Sequence, residues 1–264
     1  MSADPTGPVR AARSSRRLLF DRALRRVQST PVASFTPPPR QIDTDLWVVD
    51  RRLALPPGLV MPARMTIVRL PGGGLLLHSP VALDAGLAAA VRSIAGVEAI
   101  LVPNPFHHLF VAEWTAACPG TRVYAAPGVA DRLPGFGDAA IVADRGPAGW
   151  EEAIEHVVFG PTHGLAEVVL FHRPSRTLIL TDLAFNLPTI DGAYNRLMWR
   201  IAGVPRRFGP SRTVRFTLLR DRTAARAPLA KIAAWDFARI IVAHGDVIEQ
   251  DARAEFARAF AAYL

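Results

Sequence analysis

The chain has 264 residues, 50% hydrophobic and 20% charged, a composition that excludes a disordered or fibrous protein and suffices for a sizeable core. One cysteine, Cys118, excludes a disulfide framework and a cysteine-rich zinc site, and no run approaches the roughly 18 apolar residues of a membrane span. The formal charge of +8 is uneven. Eight of the 31 basic and two of the 23 acidic residues lie in residues 1–40, which leaves the remainder at only +2. That describes a basic arm on a near-neutral domain, and it argues against a nucleic-acid partner for the domain.

The arm, residues 1–40, is rich in Pro, Ser and Thr and ends in Pro37-Pro38-Pro39, a composition expected to stay partly disordered. Within it Phe20, Leu24 and Val27 fall at i, i+4, i+7 among five arginines and predict a short basic amphipathic helix. A solvated or docked arm is the first reading; a membrane-surface contact and a targeting peptide stand beside it. The arm lacks the apolar stretch of a secretory signal, so the cytoplasm is the expected compartment, or an organelle if the source is eukaryotic.

Residues 41–264 read as a single domain. Leu46–Val49 is a strand candidate. Met65–Leu70 and Leu75–His78 flank Pro71-Gly72-Gly73-Gly74 and predict a hairpin. Asp84 is placed to cap a helix burying Leu87, Val91 and Ile94 before Gly96. A buried strand at Ala99–Val102, a helix through Glu113-Trp114 and a strand at Arg122–Ala125 follow. Glu151, Glu152 and Glu155 suggest a solvated helix face. A second hairpin is expected from Ala166–Phe171 and Thr177–Leu180, then helices over 196–201 and 223–235, a strand at Ile240–Val242 and a last helix marked by Phe256, Phe260 and Leu264. Hairpins in both halves argue against a purely parallel sheet and favour an α/β class, an α/β-β/α sandwich of two mixed sheets with helices on the outer faces.

Polar residues collect at the predicted strand ends: His107-His108 after Val102, Asp182 after Leu180, and His244-Gly245-Asp246 after Val242. Loops at strand ends build sites, and three imidazoles with one carboxylate suit one Zn or Fe ion. No Gly-x-Ser-x-Gly turn and no phosphate-binding loop occur; Cys118 reads as a small buried hydrophobe.

Five ordered landmarks carry a family resemblance: Leu75–Pro80, Val102-Pro103-Asn104-Pro105-Phe106-His107-His108, Gly160-Pro161-Thr162-His163-Gly164, Leu180-Thr181-Asp182, and Val242-Ala243-His244-Gly245. Over about residues 46–264 the chain resembles the metallo-β-lactamase-like hydrolase superfamily, in particular a branch of unknown function with a Pro-Asn-x-x-His-His stretch. The resemblance implies that fold and a metal-dependent hydrolysis of an ester, lactone, thioester or phosphoester. The active members carry His-x-His-x-Asp-His in the second landmark; here Pro103 and Pro105 take the first two histidine positions, and Pro161 takes that of the third landmark. One of the two family metal sites is therefore lost, and the other would be held by His107, His108, Asp182 and His244. Asp182 would be both ligand and catalytic residue, with His172 or Asp246 orienting a ligand or relaying a proton. His78, His163 and Glu167 are the expected supporting residues. Pro103 and Pro105 are expected to line the space of the missing second ion. The alternative function is a metal-free relic of the fold that binds a small molecule or a protein partner.

Overall fold

The computed structural model describes residues 37–264 apart from 56, 163, 164 and 205. The expected arm helix and His163 lie outside the described residues. Arg40, the last residue assigned to the arm, opens the first strand.

Two mixed sheets form. The first contains β1 (Arg40–Asp43), β2 (Leu46–Leu55), β3 (Leu59–Arg69), β4 (Leu75–His78), β5 (Val97–Val102), β6 (Arg122–Ala125) and β7 (Ala140–Ile141), in chain order across the sheet. The second contains β8 (Ile154–Thr162), β9 (Leu165–His172), β10 (Thr177–Leu180) and β11 (Arg239–Val242), ordered β11-β10-β9-β8. The helices are α1 (Ala85–Ile94), α2 (Val111–Ala117), α3 (Val129–Arg132), α4 (Ala193–Ala202), α5 (Arg212–Phe216), α6 (Arg222–Ala234) and α7 (Ala252–Phe260).

Side-chain alternation explains the layers. In β9, β10 and β11, Ala166, Val168, Leu170, Ile179 and Ile241 join the core of the first sheet. Their neighbours Val169, Phe171, Leu178, Leu180, Ile240 and Val242 pack with Leu229, Ile232, Phe256 and Phe260 of α6 and α7. Strands covered on both faces read as unbroken apolar runs, which is why they were visible in the sequence. The Gly-rich turn closes its hairpin with Arg69 opposite Leu75. Asp84 caps α1 by accepting from the Leu87 amide at 2.8 Å, and Cys118 is buried.

Three features differ from the sequence reading. The β2–β3 hairpin runs on to Leu55 and Leu59, through Pro62. There β4 no longer pairs with β3, so the missing proline N–H leaves no ladder bond unmade. The carboxylates of 151, 152 and 155 do not share a helix: residues 151 and 152 lie in a turn, and Glu155 is in β8, where it accepts from Trp235 Nε1. The unforeseen β8 pairs antiparallel with β9 from Ile154 opposite His172.

Candidate metal centre

The parallel strands β10 and β11 end side by side, and their following loops are joined. The Asn186 amide donates to His244 O at 3.1 Å, and the Asp246 amide donates to Asn186 O at 2.8 Å. Gly245 permits this junction: its φ is +114°, and a Cβ there would lie 1.8 Å from Asn186 O. Arg64, buried on β3, donates Nη1 to Val242 O and Gly245 O. The loop after β5 is fixed to the second sheet by the Val168 amide, which donates to Pro103 O at 2.8 Å.

Three predicted residues therefore converge. His107 Nε2 lies 3.3 Å from Asp182 Oδ2, and His244 Nε2 lies 3.2 Å from Asp182 Oδ1. One ligand atom from each lies within 4.8 Å of the others. Two ligand atoms held about 2.05 Å from a tetrahedral ion stand about 3.3 Å apart. The remaining ring nitrogens are anchored: His244 Nδ1 to Pro62 O at 2.7 Å, and His107 Nδ1 to Ser79 Oγ at 2.6 Å. Such outer bonds fix the ring and its tautomer in metal-ligating histidines. Phe185 stacks on the His244 ring at 5.1 Å.

Asp182 is held as firmly. Asn104, buried, donates Nδ2 to Asp182 Oδ2 at 2.9 Å and to Thr181 Oγ1 at 3.0 Å, while its Oδ1 accepts from the Phe106 amide. Glu167, fully buried, accepts from the Thr181 and Leu183 amides at 2.8 Å each, clasping the backbone on both sides of Asp182. Burial and the nearby Asp182 carboxylate push Glu167 up to about 7. Burial acts to raise Asp182 as well, but His107 and His244 outweigh it and hold its carboxyl far below the usual range.

The other expected residues are placed elsewhere. His108, next in sequence to His107, is not in the convergent group; its Nδ1 lies 2.9 Å from Pro105 O and its ring meets Phe136 edge-on. The expected four-residue set is thus a set of three. His172 ends an antiparallel strand, opposite Thr177 at the start of β10, which puts it at the far edge of the sheet from Asp182. It bonds Ser175 Oγ there, so a proton relay through His172 is not available. Asp246 is exposed and lines a neighbouring cleft rather than the triad. His78 is buried at the end of β4, lowered to about 3 by burial and by His107. Pro103 and Pro105 do not line the cavity beside the triad.

That cavity measures about 320 Å³. Its walls are Leu53, Leu55, Met61, Phe106, Leu109, Phe110, Leu165, Trp199, Val204 and Leu218, with His107, Asp182 and His244 reaching into it. Among the described residues, no Lys or Arg lines it. Sequence reasoning missed Ser79 and Asn104 as supports of the triad, although both stand inside the landmark stretches.

The layers and the strand-end site define a protein of the metallo-β-lactamase fold. The structure matches the mono-zinc form of the metallo-β-lactamase FIM-1 from Pseudomonas aeruginosa with a TM-score of 0.57, 14% identity, and 90% and 98% of the two chains covered. A metallo-β-lactamase from Hirschia baltica matches at 0.55 and 14%, covering 84% and 98%. One from Erythrobacter litoralis matches at 0.57 and 14%, covering 87% and 98%. No curated protein sequence matches the chain. A family model described as "Domain of unknown function (DUF4336)" matches residues 43–196, more than half of the sequence, and the chain belongs to that family.

Proposed function

We propose that the chain is a hydrolase working with a single metal ion, zinc or iron, held by His107, Asp182 and His244, and that its substrate is an uncharged acyl compound: an ester, lactone or thioester. The observation that carries this reading is the facing of His244 and Asp182. His244 Nδ1 must donate to Pro62 O, because a carbonyl only accepts. In the neutral ring the Nε2 lone pair then points at a carboxylate 3.2 Å away, an arrangement that a metal ion between them would satisfy. The spacing is close to that of two ligands on one tetrahedral ion, about 3.3 Å. When bound, such an ion polarises a carbonyl oxygen and makes water a stronger acid. The chain's own part is to hold the two imidazoles by Pro62 and Ser79, to hold the carboxylate by Asn104 and the Glu167 clasp, and to exclude water with apolar walls. A phosphoester fits less well, since among the described residues no Lys or Arg lines the cavity to meet its charge.

One observation favours a second reading. Ser79 sits at the end of β4 with φ of 56°, and its Oγ, 2.6 Å from His107 Nδ1, faces the cavity. Ser79, His107 and Asp182 thus follow in the order nucleophile, base, carboxylate, in a strained turn of the kind used to present a nucleophile. In that chemistry Ser79 Oγ would add to the ester carbon while its proton passes to His107.

Elemental analysis of the full chain, purified from metal-replete medium, separates the two. Near one equivalent of zinc or iron, lost in His244→Ala, supports the metal reading. Less than about a tenth of an equivalent overturns it, because a site of this kind binds too tightly to be emptied by purification alone. Ester hydrolysis that survives chelation, vanishes in Ser79→Ala, and accompanies fluorophosphonate labelling supports the serine reading.

A further inference from the structure

Charge in the domain is concentrated in one place. Residues 193–220 contain seven arginines and no acidic residue, while the other residues of 41–264 sum to −5. All seven, from Arg196 to Arg220, are exposed. Among the described residues, none of them makes an ion pair; Arg196, Arg212 and Arg215 reach only backbone carbonyls.

The same stretch exposes large apolar side chains. On α4, Tyr194, Leu197 and Ile201 fall at i, i+3, i+7 and are 43%, 45% and 57% exposed; on α5, Phe216 is 68% exposed. They share one surface, since Arg212 donates to Ile201 O and Phe216 lies one helical turn beyond Arg212. The opposite side of these helices, through Trp199, Ala202, Val214 and Thr217, forms a wall of the apolar cavity over the triad. α4 and α5 therefore present apolar side chains on both sides, one to the cavity and one to solvent.

We propose that the outer face of α4 and α5 docks on an anionic lipid bilayer, with Leu197, Ile201 and Phe216 entering the interface and the surrounding arginines meeting acidic headgroups. An apolar stripe within a field of arginine is the composition of an interfacial helix. Charge complementarity selects the occupant. A second copy of the chain would set +7 against +7, and a neutral bilayer would leave the arginines without counter-charges. The net negative remainder of the domain favours turning this face toward an acidic surface. Docking places the cavity wall beside the acyl chains, a source of the uncharged acyl substrates inferred above. The docking itself needs no metal, so it stands or falls separately from the hydrolase reading.

The test is flotation of the full chain with phosphatidylcholine vesicles, with and without one-third phosphatidylserine, in parallel samples with and without chelator. Binding at least about tenfold stronger to the anionic vesicles, weakened by salt and indifferent to chelator, is expected. Leu197→Ser/Ile201→Ser/Phe216→Ser is expected to lower binding at least about tenfold. Arg200→Glu/Arg206→Glu is expected to lower it by roughly fivefold for each basic charge removed. Should the apolar variant fail to fold, the arginine pair carries the test, because both side chains are exposed. Equal binding to both vesicle types, or variants that bind like the parent because the basic arm does the work, overturns the proposal. So does a concentration-dependent dimer that the same substitutions abolish, which would make the face an interface between copies.

Discussion

Gly245→Ala tests how the site depends on the fold. The added Cβ would sit 1.8 Å from Asn186 O and 2.4 Å from Asn186 C, both backbone atoms, at a φ of +114° that alanine rarely adopts. Ordinary contact begins near 3.4 Å, so one loop must retreat by about 1.5 Å. That motion breaks the bonds from the Asn186 amide to His244 O and from the Asp246 amide to Asn186 O, and it disturbs the Arg64 bond to Gly245 O. Two or three bonds at about 1 kcal/mol each, with backbone strain of about 1–3 kcal/mol, give a loss of about 3–6 kcal/mol. For a domain of this size, that lowers the thermal midpoint by roughly 6–24 °C. The displaced His244 also leaves Asp182, so the affinity for zinc should fall by at least about tenfold. Differential scanning calorimetry and zinc competition titration measure the two effects. A variant melting within about 2 °C of the parent, with unchanged zinc affinity, would show that the loop junction neither stabilises the fold nor places His244.

Glu167→Gln keeps the size of the side chain but can accept only one of the two amides beside Asp182. Zinc affinity is expected to drop about 10–100-fold, and equal affinity in chelator competition would refute the clasp. Asn104→Ala removes a donor to Asp182 and is expected to act in the same direction, by about tenfold in the same titration. His172 is lowered to about 4, chiefly by burial, with Asp45 and Asp43 opposing. The folded chain then binds fewer protons there than the unfolded chain, whose histidine titrates near 6.5. Its stability contribution is complete above about 6.5 and is lost as pH falls through about 4, to a total of about 3 kcal/mol. Relative to parent, His172→Gln should flatten the urea midpoint between pH 7 and pH 4; parallel curves for the two proteins would remove His172 as the cause.

Much of the fold was legible because the central strands are buried on both sides. Ile100-Leu101-Val102, Val168–Phe171 and Ile240–Val242 have nothing polar to confuse their runs. β8 was missed because Glu155 and His156 put a polar side chain on each of its faces, and their partners Trp235 and the Ala143 carbonyl lie 80 and 13 residues away. The site was legible as a set of strand ends, but a strand end has no direction until the sheet is known. Asp182 and His244 follow parallel strands and meet; His172 ends an antiparallel one and is carried to the opposite edge. The adjacent histidines diverge: His107 reaches Asp182 while His108 turns to Pro105 and Phe136, and no pattern in the sequence tells the two apart. Ser79 and Asn104 are short polar residues in loops, and no periodicity marks them; only the atoms they meet reveal what they hold.

The electrostatics of the cavity connect the single ion to the kind of substrate. A divalent ion at the triad would face Asp182 and, just behind it, Glu167, with two neutral imidazoles completing the set. With both carboxylates ionised, the charges sum to zero. Walls made largely of apolar residues such as Leu53, Met61, Leu165 and Leu218 give little support to a residual charge, and an uncompensated ion in such surroundings costs several kcal/mol. A second divalent ion would leave +2 in the same space. Pro103 has a structural part, since its carbonyl ties the loop to β9. A neutral one-ion centre under such walls would match a neutral acyl group, the substrate class proposed above. The arginines absent from the cavity are found on the outer face of the same two helices, so that the surface meets anions and the interior meets hydrocarbon.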